Sequence, residues 1–498
     1  MAFCWVEPKK EPIVLLLFGK VMKGWGKVKI KIYHINDLNG YYEGMSRLST
    51  ALKEHGTINS IILDGGNNPD FMRWETEGSK GEISSVLLNE IGITARVFGN
   101  SEAFSGLENA RVISESSNFP SLSCNIYQIN GEKFPYLKDY MIKQVEDIRV
   151  LIIGVTASRK GFDNLYGISV KEPRTEIERV LREVEQSQYD LTILLSHLGR
   201  TAEREIAKHF AEIDIIVSGN SPNIVEKEEN INQTIICQAG SRGRFLGKIE
   251  IEYDLNKKKS GYSWKLIDCN LFPPDFKIYY LIDKYTRLAK RNLSKPLYNI
   301  KTALNHSSAS ENLLGNLLAD GLKDFQKTEI GLINTGVLER GLEAGEITKK
   351  LLIEVCPLPF HPAYLELQGK DLLQILEKSL LPEYYQALGP GEGIRDNCLG
   401  NIAVSNNVVV TYQNNAEPMN KIIEVTIDRK PLEGEQWYSI GTSDFLEQGS
   451  SYEDFRNGRK ANYQPEFLRD ILAKYLKKWR FIRKAKQKRF NPTESSDA

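Results

Sequence analysis

The stretch KIKIYHINDLNG, residues 29–40, decides the fold of this chain. The apolar, strand-like run at 29–34 predicts a strand, and a cluster of polar turn residues follows at once. Four later apolar runs end in the same way. The five polar tips have the sequences INDLNG (35–40), DGGN (64–67), GNSE (99–102), SHLG (196–199) and SGNSP (218–222).

The five tips predict a common crevice. In open α/β proteins ligands lie at the carboxyl ends of the strands, because backbone and side chains converge there. These tips carry mainly amides and hydroxyls, whereas a strong transition-metal centre needs imidazoles and carboxylates. We therefore expect a shared site with weak metal chemistry.

Composition limits the class of protein. The chain has 498 residues, enough for two or three domains, and its 65 basic residues balance 65 acidic ones. Zero net charge argues against nucleic acid as a partner. No apolar run approaches the ~20 residues of a membrane span, so we expect no membrane partner. Six scattered cysteines and only a short apolar run at 13–18 predict a cytoplasmic protein.

Helices and strands alternate along most of the chain, which predicts layered α/β domains. The sequence TEIE at 175–178 is typical of a capping box that opens a helix. Residues 474–489 hold nine Lys or Arg and no acid, which fits either a solvated helix end or a contact with an anionic surface. The predicted divisions are an N-terminal extension (1–27), a first domain (28–270), a helical linker (271–295), a second domain (296–475) and a basic tail (476–498).

Several of these stretches, in their order along the chain, resemble the 5′-nucleotidase family, and in particular its cytoplasmic branch in Gram-positive bacteria. The resemblance implies an N-terminal calcineurin-like metallophosphatase sandwich with α/β/β/α layers and a second α/β domain for nucleotide recognition. It also implies a metal-dependent hydrolase of nucleotide phosphomonoesters. The stretches are HINDLNG (34–40), SHLG (196–199), QAGSRGRFLG (238–247), LGNLLAD (314–320), INTG (333–336), GEIT (345–348) and PLPF (357–360).

The family holds two divalent metals, Mn²⁺, Zn²⁺ or Mg²⁺, in the crevice, but this chain departs from the family at most ligand positions. The bridging carboxylate falls on Asn67, the catalytic histidine on Ser101 and its acidic partner on Phe104. Both imidazoles of the final Gly-His-x-His pattern are missing from residues 219–222. The residues that remain at family metal positions are Asp37, Asn67, Asn100, His197 and Asn220.

These substitutions predict that the two-metal centre is absent. Two adjacent dications repel strongly, and a neutral amide at the bridging position does not offset that repulsion. One weakly held ion, or none, stays open. His197 could instead be a packed histidine, and Asp37, Asn67 and Asn100 could be turn-forming residues.

The second domain shows similar substitutions. Phe360 and Phe445 occupy the positions of the two rings that hold the base, and Asn334 also matches the family. The phosphate-facing arginines fall instead on Glu339 and Ser310, and the carboxylate that meets the sugar falls on Ser451. Without arginine forks, we expect an uncharged, nucleoside-like ligand to bind better than a nucleotide.

Three functions stay open on the sequence. The first is a nucleotide phosphomonoester hydrolase, involved in nucleotide catabolism, whose catalysis is weak or lost. The second is a non-catalytic nucleoside- or nucleotide-binding or regulatory pseudoenzyme. The third is altered chemistry with one metal and a new substrate.

Overall fold

A computed structural model describes residues 28–56, 59–103, 105–159, 161, 163–221, 227–254, 258–389, 398–449 and 451–493. The predicted extension at 1–27 lies outside these residues. Across the described part of the chain, no helix is long and apolar enough to cross a membrane.

The first domain is built on two stacked sheets. Its strands are β1 Val28–Ile35, β2 Ser60–Asp64, β3 Ala95–Val97, β4 Ser121–Leu122, β5 Ile126–Gln128, β6 Leu137–Lys138, β7 Tyr140–Val145, β8 Ile148–Thr156, β9 Ile168–Val170, β10 Leu191–His197, β11 Ile215–Ser218, β12 Glu229–Ile231, β13 Thr234–Cys237, β14 Phe245–Asp254 and β15 Lys258–Asp268. Its helices are α1 Gly44–His55, α2 Trp74–Gly78, α3 Glu82–Ile91, α4 Asn100–Ala103, α5 Leu107–Glu115, α6 Pro173–Glu183, α7 Arg200–His209 and α8 Phe276–Leu293. Short 3₁₀ turns lie at Asn164–Tyr166, Gln186–Gln188 and Cys269–Leu271.

The described strands form one sheet in the order β15, β14, β1, β2, β3, β4, β6 and a second in the order β12, β13, β11, β10, β8, β7. Ile32 and Leu63 of the first sheet share a core with Ile193 and Val217 of the second. A separate core joins the outer face of the first sheet to α1, α3 and α8, and another joins the second sheet to α6 and α7. The α/β/β/α sandwich is therefore confirmed.

The parallel pairing places the polar tips together. β1, β2 and β3 pair in parallel, so their carboxyl ends lie along one edge. β10 pairs in parallel with β8 and β11, so the tips that follow β10 and β11 also share an edge.

One helix starts differently from the sequence prediction. The capping box at 175–178 is not the start of α6, because Glu172 is the N-cap and accepts a hydrogen bond from the backbone N–H of Thr175 at 2.7 Å. Pro173 occupies the first helical position, where its missing N–H costs nothing.

The second domain has strands β16 Pro296–Ile300, β17 Ile330–Asn334, β18 Gly345–Thr348, β19 Pro362–Gln368, β20 Ile402–Val404, β21 Val408–Gln413, β22 Ile422–Ile427, β23 Lys430–Pro431, β24 Trp437–Ser443, β25 Arg459–Tyr463 and β26 Phe490–Thr493. Its helices are α9 Leu313–Gln326, α10 Lys349–Val355, α11 Gly369–Ser379, α12 Pro382–Tyr385, α13 Asp444–Glu447, α14 Leu468–Leu476 and α15 Trp479–Ala485, with 3₁₀ turns at Thr335–Val337 and Glu453–Asn457. The described strands form a sheet in the order β20, β17, β24, β19, β25, a second in the order β23, β22, β21, β26, and the pair β16 with β18.

The basic tail differs from the expectation of a solvated helix end. α15 and β26 pack onto the second domain, and β26 pairs in parallel with β21. Arg489 is 1% exposed, and its guanidinium lies 2.7 Å from Asp320 Oδ2. This buried ion pair fixes the chain beyond residue 476, so the second domain extends to Thr493.

Candidate metal centre and ligand pocket

The structure brings the five polar tips into one crevice. His197 at the end of β10 lies with Nδ1 2.7 Å from the carbonyl oxygen of Gly65, which links the two sheets. The backbone N–H of Ser221, after β11, donates to Asp37 Oδ2 at 3.3 Å. Asp37, Asn67, Asn100, His197 and Asn220 therefore surround a common site.

The backbone explains why amides and carboxylates occupy these turns. Asp37, Asn67 and Asn220 have φ angles of 51°, 58° and 59°. Asn and Asp tolerate this left-handed conformation better than other residues with a side chain. Part of the pattern at the tips is therefore a requirement of the turns themselves.

The side chain of Asn67 is a neutral amide with a partner of its own. Its Oδ1 accepts a hydrogen bond from the backbone N–H of Ser101 at 2.9 Å. The same side chain helps to oppose the rise in the pKa of Asp37 that burial causes. The position where the family pattern expects a bridging carboxylate therefore carries no negative charge.

The Asp37 carboxylate is buried at 3% exposure. Burial raises its pKa, while His197 and hydrogen bonds from Asn36, Ser221 and Asn67 oppose that rise. Asn36 Nδ2 donates to Asp37 Oδ2 at 3.0 Å. The negative charge is therefore stabilised by neutral donors.

Asp64, the other carboxylate of this region, holds the loop after β2. It accepts hydrogen bonds from the backbone N–H of Gly66 at 3.2 Å and from Asn68 Nδ2 at 2.5 Å. Burial, with repulsion from Glu102, raises the pKa of Asp64 to about 7. Asp64 therefore does not replace the missing bridging carboxylate.

The donor set does not fit two metal ions, but it leaves two atoms suited to one. His197 Nε2 and Asn100 Oδ1 are buried and have no hydrogen-bond partner among the described residues. A single ion would be held by these two atoms together with the Asp37 carboxylate. No group of three or more His, Cys, Asp or Glu with metal-binding geometry occurs in the described ranges. Two predicted positions, Phe104 and Pro222, lie outside those ranges.

The two predicted ring positions meet in the second domain. The rings of Phe360 and Phe445 stack on each other with centroids 5.0 Å apart and an interplanar angle of 23°. A base between two rings needs about 7 Å, twice the optimal separation of carbon atoms. A base can therefore enter only if the rings separate.

The polar residues that the resemblance assigns to the ligand pocket have local partners. Asn334 is fully buried and its Nδ2 donates to the carbonyl oxygen of Leu399 at 2.8 Å. Arg340, one residue beyond the expected arginine position at Glu339, pairs with Glu354 at 3.7 Å. Ser310 Oγ donates to Ser307 Oγ at 2.9 Å. Arg340 and Ser310 thus have partners within the second domain, and the loss of phosphate contacts stays a prediction.

No sequence pattern indicated a set of contacts that the structure shows between the domains beside this ring pair. Tyr166 Oη lies 2.7 Å from His361 Nε2, and Arg159 pairs with Asp444 Oδ2 at 3.6 Å. The backbone N–H groups of His361 and Phe445 both donate to Asp444 Oδ1, at 3.0 Å and 2.9 Å. The first domain therefore contacts the residues directly next to both rings.

Comparison with known proteins agrees with this architecture. The family model described as 5′-nucleotidase, C-terminal domain, matches residues 292–455. The metallophosphoesterase YunD of Bacillus subtilis, itself uncharacterized, is 25% identical over 90% of this chain and 99% of its own length. The chain thus carries a 5′-nucleotidase C-terminal domain, and its relatives and structural neighbours include 5′-nucleotidases and metallophosphoesterases. The predicted family is confirmed, while the predicted branch stays a prediction.

Other 5′-nucleotidase relatives cover much of the chain. A 5′-nucleotidase of Vibrio vulnificus is 24% identical over 70% of this chain and 75% of its own length. The NAD nucleotidase of Haemophilus influenzae superposes with a TM-score of 0.66 at 16% identity, over 94% of this chain and 98% of that one. A 5′-nucleotidase precursor of Thermus thermophilus gives a TM-score of 0.57 at 18% identity, over 94% and 100%. These structures share the two-domain fold.

Proposed function

We propose that this chain is a 5′-nucleotidase-family protein that has lost rapid two-metal hydrolysis and acts by binding a nucleoside-like ligand. The observation that carries the proposal is the neutral Asn67 side chain at the bridging position, whose oxygen already accepts a hydrogen bond from the backbone N–H of Ser101. This group supplies no negative charge to a pair of metal ions.

Electrostatics explains why a neutral group at the bridging position disfavours two metal ions. Two dications about 3.5–4 Å apart repel by roughly 17–19 kcal/mol at an effective dielectric constant of 20. A bridging carboxylate offsets part of this energy, and a neutral amide does not. The single remaining carboxylate, Asp37, cannot balance four positive charges.

Proton transfer is also impaired. The resemblance places a catalytic histidine at residue 101, where this chain has serine. A general acid works best with a pKa near the operating pH, and general acid–base catalysis contributes typically 10²–10⁴-fold. The hydroxyl of Ser101 does not titrate near neutral pH, so we expect at least this loss.

A second candidate function is slow chemistry at one metal ion. It is favoured by the two buried atoms without partners, Asn100 Oδ1 and His197 Nε2. The retained ring pair, Phe360 and Phe445, favours ligand binding in either case.

The test is phosphate release from nucleoside monophosphates by the full chain with added Mn²⁺. The 5′-nucleotidase of Vibrio vulnificus serves as the active comparison. We expect release from this chain to stay at the level of a heat-denatured sample. Rapid turnover that disappears in a His197→Ala variant would show that the proposal is wrong.

A further inference from the structure

The C-terminal segment 474–489 carries nine Lys or Arg and no acid, in a chain whose total charge is zero. It forms the end of α14, all of α15 and the residue before β26, and it is folded onto the second domain. Zero net charge argues against nucleic acid as a partner of the whole chain, but that argument does not hold for this basic surface.

Most of these cations have no acidic partner. Arg489 pairs with Asp320 at 2.7 Å, and Lys478 lies 3.7 Å from Asp324. The other seven have no ion pair with any described residue. They are Lys474, Lys477, Arg480, Arg483, Lys484, Lys486 and Lys488. Positive charge is therefore concentrated here without local neutralisation.

One groove on this surface combines cations with an exposed indole. We call it the Trp479 groove; it has a volume of about 380 Å³ and an apolar floor that includes Ile300 and Ile482. Trp479 is 68% exposed, and the guanidinium carbon of Arg483 lies 5.1 Å from its ring centre. The cations that line the groove are Lys301, Lys477, Arg483 and Lys486, and its lining residues include no carboxylate.

A second groove lies next to the first and shares one lining residue with it. The Tyr412 groove, about 540 Å³, is lined by Tyr385 and Tyr412, by Lys488 and by Lys486, which also lines the Trp479 groove. Its one carboxylate is Glu311, which accepts hydrogen bonds from the backbone N–H groups of Arg489 and Phe490 at 2.9 Å and 3.2 Å. We call the two adjoining grooves the track; both are lined by a partly exposed aromatic ring and by lysine or arginine.

We propose that this track binds single-stranded nucleic acid. The aromatic rings would stack on successive bases, and the cations would contact the phosphates between them. A concave track with an apolar floor admits a single strand, whose bases can turn inward. A planar bilayer would reach only the rim, and a duplex hides its bases. The proposal is independent of catalysis in the first domain.

The test is fluorescence anisotropy of a labelled oligothymidylate of about 12 nucleotides, within the range of site sizes known for single-strand binders. The full chain is titrated at several salt concentrations. We expect the logarithm of the binding constant to fall linearly with the logarithm of salt, with a slope of about −0.7 per phosphate contact.

Two variants separate the two kinds of contact. Trp479→Ala should weaken binding roughly 5- to 150-fold, the loss of about one stacked base, and leave the salt slope unchanged. Lys477→Gln/Arg483→Gln/Lys486→Gln should make the slope shallower by about 2. Lys208→Gln/Lys370→Gln/Lys430→Gln removes the same charge from exposed sites elsewhere and should bind like the parent.

Three results would overturn the proposal. The first is no binding at about 50 mM salt, where electrostatic contacts are strong. The second is equal binding by the parent, Trp479→Ala and the charge variant of the track. The third is binding to phosphatidylglycerol vesicles that depends on Trp479, with none to the oligonucleotide, which would assign the surface to membranes. Thermal unfolding of each variant checks that the second domain is intact.

Discussion

Replacing Asn67 with aspartate would restore the carboxylate that the family places between two metals. In the present structure the neutral Asn67 side chain opposes the rise in the pKa of Asp37 that burial causes. An aspartate at this position has no N–H to donate, and it places a second negative charge beside a carboxylate that is 3% exposed. Without metal the variant should therefore be less stable than the parent.

The expected loss of stability of Asn67→Asp without metal has two contributions. Two unit charges about 4 Å apart repel by about 4 kcal/mol at an effective dielectric constant of 20. The lost stabilisation of the Asp37 carboxylate by the amide adds at most about 1.5–3 kcal/mol, the range for a hydrogen bond to a charged group. Protonation of one of the two carboxylates, Asp37 or the aspartate at residue 67, limits the total. We therefore expect the free energy of unfolding to fall by about 2–4 kcal/mol at pH 8, which lowers the Tm by roughly 5–15 °C. At pH 5 the loss should be smaller.

Differential scanning calorimetry of the full chain, with EDTA and then with Mn²⁺, measures the effect. Mn²⁺ should restore the Tm of Asn67→Asp and change that of the parent little, since an ion at 100 times its Kd adds about 2.7 kcal/mol. Asn232→Asp is the matched control, because Asn232 has a φ of 55° and is exposed in a turn between β12 and β13. It should behave like the parent in both conditions.

The reasoning fails if Asn67→Asp is as stable as the parent at pH 8 without metal. It also fails if Mn²⁺ raises the Tm of the parent as much as that of the variant. The first result would mean that the amide is not needed to stabilise Asp37, and the second that the parent already binds the ion.

Three further predictions concern other parts of the molecule. Burial raises the pKa of Glu203 to about 7, so the folded state holds a proton that the unfolded chain loses near pH 4.5, and stability falls as pH rises between these values. Glu203→Gln should remove most of that loss of stability, on the order of 3 kcal/mol. Urea titrations at pH 4.5 and 7.5 measure the free energy of unfolding. A variant that loses as much stability as the parent between these pH values would contradict the prediction. Arg489→Met should cost about 3–5 kcal/mol because it leaves Asp320 buried and unpaired, and adding Asp320→Leu should recover part of the loss in the same titrations. In a thermal shift assay adenosine should raise the Tm more than adenosine monophosphate does, and Phe445→Ala should abolish the shift; a preference for the monophosphate would contradict the predicted loss of phosphate contacts.

Much of the first domain could be predicted because its strands follow simple rules. The apolar, strand-like run at 29–34 is followed directly by turn-forming residues. Parallel pairing aligns the strand ends within each sheet, and the stacking of the two sheets brings His197 to Gly65, as the common-crevice hypothesis requires. The start of α6 was harder to place, because Glu172 and Thr175 both have side chains that can cap a helix.

The properties that decide the chemistry were less visible in the sequence. Residue type shows that Asn67 is neutral, but only the structure shows that its side-chain oxygen already accepts a hydrogen bond from the backbone of Ser101. The direct stacking of Phe360 on Phe445 depends on how α13 packs against the chain before β19, which local pattern does not encode. The tail was misjudged because the partner of Arg489, Asp320, lies far away in sequence.

The decisive measurement is the stoichiometry of Mn²⁺ binding to the metal-free full chain by isothermal titration calorimetry. One weak site, or none, is expected, since Asp37, His197 Nε2 and Asn100 Oδ1 together can hold one ion. Two tight sites per chain would contradict the loss of the two-metal centre.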